Sequence, residues 1–224
     1  MSVLRDVRIE EVVNSLHAKS DAQIPETIQF NAPRAATAGS PADDEIKAFR
    51  SDKLVALDPD KAEFCYQLCR AIGARRIVEI GTSYGVSTLY LATAVRDNIA
   101  ASGGKGVVIG TEYEPEKARA ARANFAAAGL SQFIDLREGD LRETLRDLDG
   151  PIDFLLVDIW IAMARPALEL VAPRLRPGAI VVCDNTTQFR SDYAAYFEYL
   201  TDPANGFRTL TLPFGGGLEF SVRC

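Results

Sequence analysis

Two apolar runs in this sequence end in residues that could bind a cation. "IDFLLVD" (152–158) ends in Asp158, and "GAIVVCDN" (178–185) ends in Asp184 and Asn185. Each run suits a strand buried on both faces of a sheet. Two carboxylates at the ends of neighbouring strands repel each other if nothing lies between them. A hard cation removes the conflict, and a donor set made only of oxygens suits Mg2+, or else Ca2+ or Mn2+, rather than zinc. The plainer alternative is that both aspartates cap helices or pair with arginines.

Other strand ends carry polar residues too. In "VEIGTSYGVSTLYLA" (78–92), Gly81 and Gly85 allow a tight turn and close approach of a ligand to the backbone. The helix that follows presents free N–H groups to an anion, with the Ser87 hydroxyl near its start. Glu79 sits just inside this turn, where a buried carboxylate needs either a cationic ligand group or a salt bridge. The spacing is Gly-x-x-x-Gly, so the dinucleotide fingerprint Gly-x-Gly-x-x-Gly is absent. In "VVIGTEYEP" (107–115), Glu112 falls where such folds hold a ribose by its hydroxyls. In "REGDLRE" (137–143), Asp140 could accept from an adenine amino group or cap the helix that begins near Leu141, and the two roles are compatible. Trp160, the one tryptophan of the chain, could stack on an adenine or lie near a sulfonium, or else pack in the core.

These residues need a frame that brings strand ends together. From about residue 58 helix and strand patterns alternate: a helix in "DPDKAEFCYQLCRAIG", a strand in "RRIVEIG", a helix from Gly85, and so on to "SDYAAYFEYL". The chain closes with "FRTLTLP" and "GLEFSVRC", two strands joined by "FGGG", which must pair antiparallel. The fold class is therefore α/β, a doubly wound and mostly parallel sheet with a C-terminal antiparallel hairpin, whose ligands bind beyond the carboxyl ends of the strands. Before it, "RDVRIEEVVNSLHAKS" reads as an amphipathic helix and "NAPRAATAGSPADD" (31–44) as a loop.

Composition narrows the function classes. The 224 residues are 47% hydrophobic and 25% charged, ordinary for one α/β domain, and the net charge of -6 argues against nucleic acid or an anionic membrane as a partner. Cys65 and Cys69 are four apart on one helix face, which is neither a zinc spacing nor a disulfide framework, so reduced thiols in a cytoplasmic protein are expected. The N-terminus has no long apolar core of a signal peptide, and no apolar run is long enough to span a bilayer.

"VEIGTSYGVSTLYLA", "GTEYEPEKARAARANFAAAGL", "IDFLLVD", "LRPGAIVVCDN" and "LPFGGGLEF" occur in one order over about residues 55–224. In these motifs the sequence resembles class I S-adenosylmethionine-dependent O-methyltransferases, of the metal-dependent catechol and caffeoyl-CoA type. The resemblance implies a Rossmann-like sheet of seven strands over residues 55–224, preceded by a helical and loop lid segment over residues 1–54. It implies that Glu79, Gly81 and Ser87, with Thr82, Ser83 and Tyr84 of the same turn, hold the methionine part of the cofactor. Glu112, with Tyr113 beside it, would bind the ribose, and Asp140 and Leu141 would lie by the adenine. Trp160 would lie against the cofactor. Asp158, Asp184 and Asn185 would be the metal ligands, Asp158 standing at the catalytic centre and against the cofactor. The implied chemistry is a divalent metal, Mg2+ first, that binds two adjacent oxygens of a small acceptor, one of which attacks the sulfonium methyl. A homodimer is the family's expectation.

The sequence also departs from that family. A lysine usual three residues after the first metal aspartate, taken as the base, is replaced by Ile161, and "IWIAM" (159–163) holds no basic side chain. His17, the sole histidine, is a candidate base because N-terminal helices in the family can cover the site. A Gly-Asp-Gly turn is replaced by Gly215, Gly216 and Gly217, and Leu210 stands where catechol enzymes have a substrate-orienting glutamate. Two other readings follow from these losses: a metal-independent methyltransferase on another small acceptor, and a cofactor-binding protein without catalysis.

Overall fold

The computed structural model describes residues 3–35 and 43–224. Seven strands form one sheet in the order β3-β2-β1-β4-β5-β7-β6. They are β1 (Arg76–Ile80), β2 (Val107–Glu112), β3 (Ile134–Glu138), β4 (Ile152–Val157), β5 (Leu175–Asp184), β6 (Phe207–Leu212) and β7 (Leu218–Arg223). β1 to β5 run parallel, and β7 pairs antiparallel with both β5 and β6. The closing hairpin thus supplies the single reversed strand. The order reverses between β1 and β4, the switch point at which open α/β sheets bind ligands.

The helices that flank the strands are α4 (Pro59–Ala71), which precedes β1, and α5 (Val86–Ser102), α6 (Pro115–Ala128), α7 (Leu141–Thr144), α8 (Ile161–Val171) and α9 (Ala194–Thr201). They cover both faces. Ile77, Phe154, Leu156, Ile180 and Val182 are buried with residues of α4, α5 and α6. Their strand neighbours Val78, Leu155, Val157, Val181 and Cys183 are buried with residues of α8 and α9. This is the two-residue period of a strand, with both faces apolar because both are covered.

Ahead of this unit lie α1 (Val7–Ala22), α2 (Ile24–Ala35) and α3 (Asp43–Arg50). Ile9, Val13 and Leu16 of α1 join the same buried cluster as α4 and α5. The loop expected over residues 31–44 is shorter than its composition suggests: residues up to 35 and from 43 are helical, and 36–42 lie outside the described residues. Phe30 of α2 stacks on Phe49 of α3, ring centres 3.8 Å apart. That apolar contact favours helix at both ends of a segment whose Ala, Pro and Ser content reads as coil. No helix among the described residues is long and apolar enough to cross a membrane.

Candidate active site

Strand alternation puts the site on one face. Two residues beyond Ile77, Leu156 and Val182 come Glu79, Asp158 and Asp184, so three carboxylates emerge on the α4–α5 side of three adjacent strands. The register pairs Val157 with Cys183, which sets Asp158 and Asp184 side by side just past it. The Asp158 N–H donates to the Ile80 carbonyl at 2.9 Å and extends the β1–β4 contact by one residue.

The turn after β1 is built from local polar groups. Glu79 is fully buried and accepts from Thr82 Oγ1 at 2.9 Å, Ser87 Oγ at 2.6 Å and Thr88 Oγ1. Its partners within the protein are therefore three hydroxyls rather than the salt bridge considered from sequence. Burial raises its pKa, and the hydroxyl bonds hold that rise back. Glu112, at the end of β2, accepts from the Ser83 N–H at 2.7 Å and from the Glu114 N–H at 2.8 Å. It therefore clasps the β1 turn to the β2 turn while keeping lone pairs for a ligand's hydroxyls. Gly81, Thr82, Ser83, Tyr84, Ser87 and Asp158 line one cavity, bounded on the other side by residues 54–57. The Tyr84 hydroxyl donates to the Asp52 carbonyl at 2.8 Å and ties that segment across the turn.

The remaining expected residues do not line this cavity. Tyr113 is exposed and Leu141 is buried. Asp140 caps α7, accepting from the Arg142 N–H at 2.9 Å, and it also pairs with the Arg142 guanidinium at 2.5 Å. Those bonds hold its carboxyl down at about 2. Trp160 directly precedes α8 and is 38% exposed, so it is not a core residue; the Arg50 guanidinium lies 5.7 Å from its ring centre. His17 packs edge-on against Tyr90 of α5, ring centres 6.4 Å apart. Burial lowers its pKa, against the pull of Asp21 and Asp58.

Of the expected metal ligands, Asp184 is held by a different cation. Lys61, in the first turn of α4, is 1% exposed, and its Nζ lies 2.7 Å from Asp184 Oδ1 and 2.8 Å from Asp58 Oδ2. Asp184 Oδ1 also accepts from the Asn185 N–H at 2.7 Å, and Oδ2 accepts from Asn185 Nδ2 at 2.9 Å. An ionised carboxylate only accepts, so Asn185 turns its amide nitrogen to Asp184, whereas a metal ligand would present its oxygen. Asn185 sits at φ +58°, a conformation asparagine tolerates, and its Oδ1 faces Gly216: a Cβ there would lie 2.6 Å away. Asp158, Asp184 and Asn185 as arranged do not fit a divalent metal. Burial, with Asp184 and Glu79 adding repulsion, pushes the Asp158 carboxyl well above the usual range, and Lys61 opposes this. Burial also works against the Lys61 ammonium, but Asp184 and Asp58 outweigh it and keep it charged.

Lys61 has no place in the sequence motifs, yet a signal exists. Lys61, Cys65 and Cys69 are spaced i, i+4, i+8, and all three are buried on the inner face of α4. A lysine in register with two buried cysteines is a lysine that needs a partner inside.

A sheet of this order with a carboxylate clasp across the turns after β1 and β2 defines an α/β protein of methyltransferase type. A sequence profile described as a methyltransferase domain matches residues 78–186. The catechol O-methyltransferase of Mycobacterium tuberculosis is 34% identical over 136 residues, 58% of this chain and 57% of that protein. The catechol O-methyltransferase of Niastella koreensis is 32% identical over 154 residues, 67% of this chain and 65% of that one. The match thus spans less than two thirds of either catechol enzyme's length. A Mycolicibacterium vanbaalenii protein, named only provisionally as an O-methyltransferase, is 30% identical over 181 residues, 75% of this chain and 77% of its own. Among solved structures, the O-methyltransferase TomG from Streptomyces achromogenes, in complex with SAM, superposes with a TM-score of 0.67 at 21% identity, covering 87% of this chain and 96% of that one; this likeness speaks for the fold. The chain belongs to the class I S-adenosylmethionine-dependent O-methyltransferase family.

Proposed function

We propose that this protein transfers the methyl group of S-adenosylmethionine to a hydroxyl oxygen of a small acceptor. The observation that carries the reading is the Glu112 clasp, with Ser83 and Glu114 N–H groups on its two oxygens beside the cavity at the β1 end. Glu112 holds the ribose hydroxyls. The turn Gly81–Tyr84, Ser87 and the start of α5 receive the methionine part. Glu79 keeps that turn in shape through its three hydroxyl partners. Tyr113, Asp140, Leu141 and Trp160 surround the adenine side, and the segment over residues 1–54 acts as a lid.

In the reaction, a lone pair on the acceptor oxygen forms the new C–O bond as the C–S bond breaks and its electron pair passes to sulfur. The hydroxyl proton goes to water, and S-adenosylhomocysteine is left. The residues act by positioning the two partners in line. A phenolic acceptor with adjacent hydroxyls is favoured by the likeness to the two catechol O-methyltransferases. Magnesium assistance through Asp158, Asp184 and Asn185, expected from the sequence pattern, does not fit their arrangement, so no step is routed through a metal. A metal-free form is favoured by one observation, the Lys61 ammonium on Asp184. The same reading takes the protein as a cytoplasmic homodimer.

Isothermal titration with S-adenosylhomocysteine tests the core of the proposal. Heat with one site per chain is expected, and no heat at millimolar ligand would sink it. A radiolabelled methyl-transfer screen over catechols and hydroxycinnamates, with and without Mg2+, then identifies the acceptor.

A further inference from the structure

We infer that Lys61 is a resident cation that takes the place of a divalent metal at the ends of β4 and β5. Three carboxylates, Glu79, Asp158 and Asp184, share this face of the sheet, and the partners of Glu79 are three hydroxyls, which carry no charge. Charge of that density in a buried site needs a cation. The cation on Asp184 is the protein's own ammonium, fixed at 2.7 Å and also held by Asp58 at 2.8 Å.

The ammonium is built in rather than swung in from a flexible arm. It projects from the first turn of α4, a helix anchored in the core by Ala62, Cys65 and Cys69. One turn further on, Phe64 packs on Phe214 at 5.3 Å between ring centres, which docks the same end of α4 against the loop that joins β6 to β7. That loop carries Gly216, where the family's acidic turn would have added another carboxylate beside Asn185. The loss of that acid and the gain of a fixed cation point the same way: less negative charge is left for a metal to bind.

An ammonium has three donors. Two go to Asp184 and Asp58, and the third has no acceptor among the described residues. Lys61 therefore holds Asp184 and Asp58 together, and this occupancy of the cation position does not rest on the methyl-transfer reading.

Mn2+ itself is the probe, followed by electron paramagnetic resonance on the full chain, alongside Lys61→Gln and Lys61→Gln/Asp184→Asn. The wild-type chain should leave the free-ion signal unchanged at equimolar Mn2+. Lys61→Gln should take up one Mn2+ per chain with affinity raised about 100-fold, since a fixed positive charge and its bond to Asp184 are removed. The double variant should lose that uptake. Tight stoichiometric uptake by the wild type overturns the inference, and so does a folded Lys61→Gln that takes up none. If Lys61→Gln fails to fold, Lys61→Met is read in the same way, and the wild-type arm stands in either case. Titration of the same samples with S-adenosylhomocysteine reports the methyl-transfer reading separately, because Glu112 and the β1 turn lie outside the Lys61 contacts.

Discussion

The Asp158 carbonyl oxygen occupies the space that a side chain on Gly81 would need: a Cβ there would lie 1.9 Å from it. Gly81 also sits at φ +95°, where other residues are strained. The two residues directly follow β1 and β4, so this contact fixes how closely the switch point closes. Gly81→Ala must push the strand ends apart, because the obstacle is backbone. A loss of about 2–4 kcal/mol is expected from strain and clash together. Urea unfolding measures it, and a change under about 0.5 kcal/mol, the size of a neutral surface substitution, would refute the geometry.

Glu112→Gln probes the clasp. A glutamine has one acceptor oxygen and cannot serve the Ser83 and Glu114 N–H groups together; its amide would set a donor against a donor. It also loses the charge that favours ribose hydroxyls. Affinity for S-adenosylhomocysteine should fall roughly 10- to 100-fold, the worth of one or two hydrogen bonds to a charged group. Calorimetry on both proteins decides, and equal affinities would remove Glu112 from the cofactor site.

Most of this site was legible because its parts are local. Gly81, Glu112 and Asp158 stand where an apolar run stops, and the order of runs fixes which strand ends are neighbours. The alternation that places Glu79, Asp158 and Asp184 on one face follows from strand period alone. Two features were not legible in this way. Lys61 and Asp184 are 123 residues apart, so nothing in either motif announces their bond. The helical ends of the 31–44 segment depend on Phe30 meeting Phe49, a contact between helices that composition does not encode.

Trp160 offers a direct optical test because the chain has one tryptophan. Its ring is partly exposed and lies under the Arg50 guanidinium. A cofactor bound against it changes both solvent access and the stacking partner. Saturating S-adenosylhomocysteine should shift or quench the emission in proportion to calorimetric occupancy. Trp160→Phe should abolish the signal yet keep affinity within about tenfold, since one aromatic contact is worth roughly 0.5–1.5 kcal/mol. An unchanged spectrum at full occupancy would place Trp160 outside the cofactor site.

Asp153 gives the fold a pH dependence of known sign. Its Oδ2 accepts from the Arg75 and Arg76 N–H groups at 2.8 and 2.9 Å, and its Oδ1 from Arg176 Nε at 2.6 Å. Burial raises its pKa, but the Arg176 bond and the two backbone bonds outweigh it, so the folded value lies below the ordinary one. A depressed carboxylate pKa stabilises the fold fully above the unfolded value, about 3.9, and the gain is lost as pH falls through the folded value. Asp153→Asn should therefore lower stability by about 1–3 kcal/mol at pH 7, the worth of hydrogen bonds to a charged group. The gap should narrow as pH drops from 5 towards 3, where the wild-type carboxylate takes up its proton. Unfolding curves of both proteins across that range test it; a gap that stays constant or widens in acid contradicts the assignment.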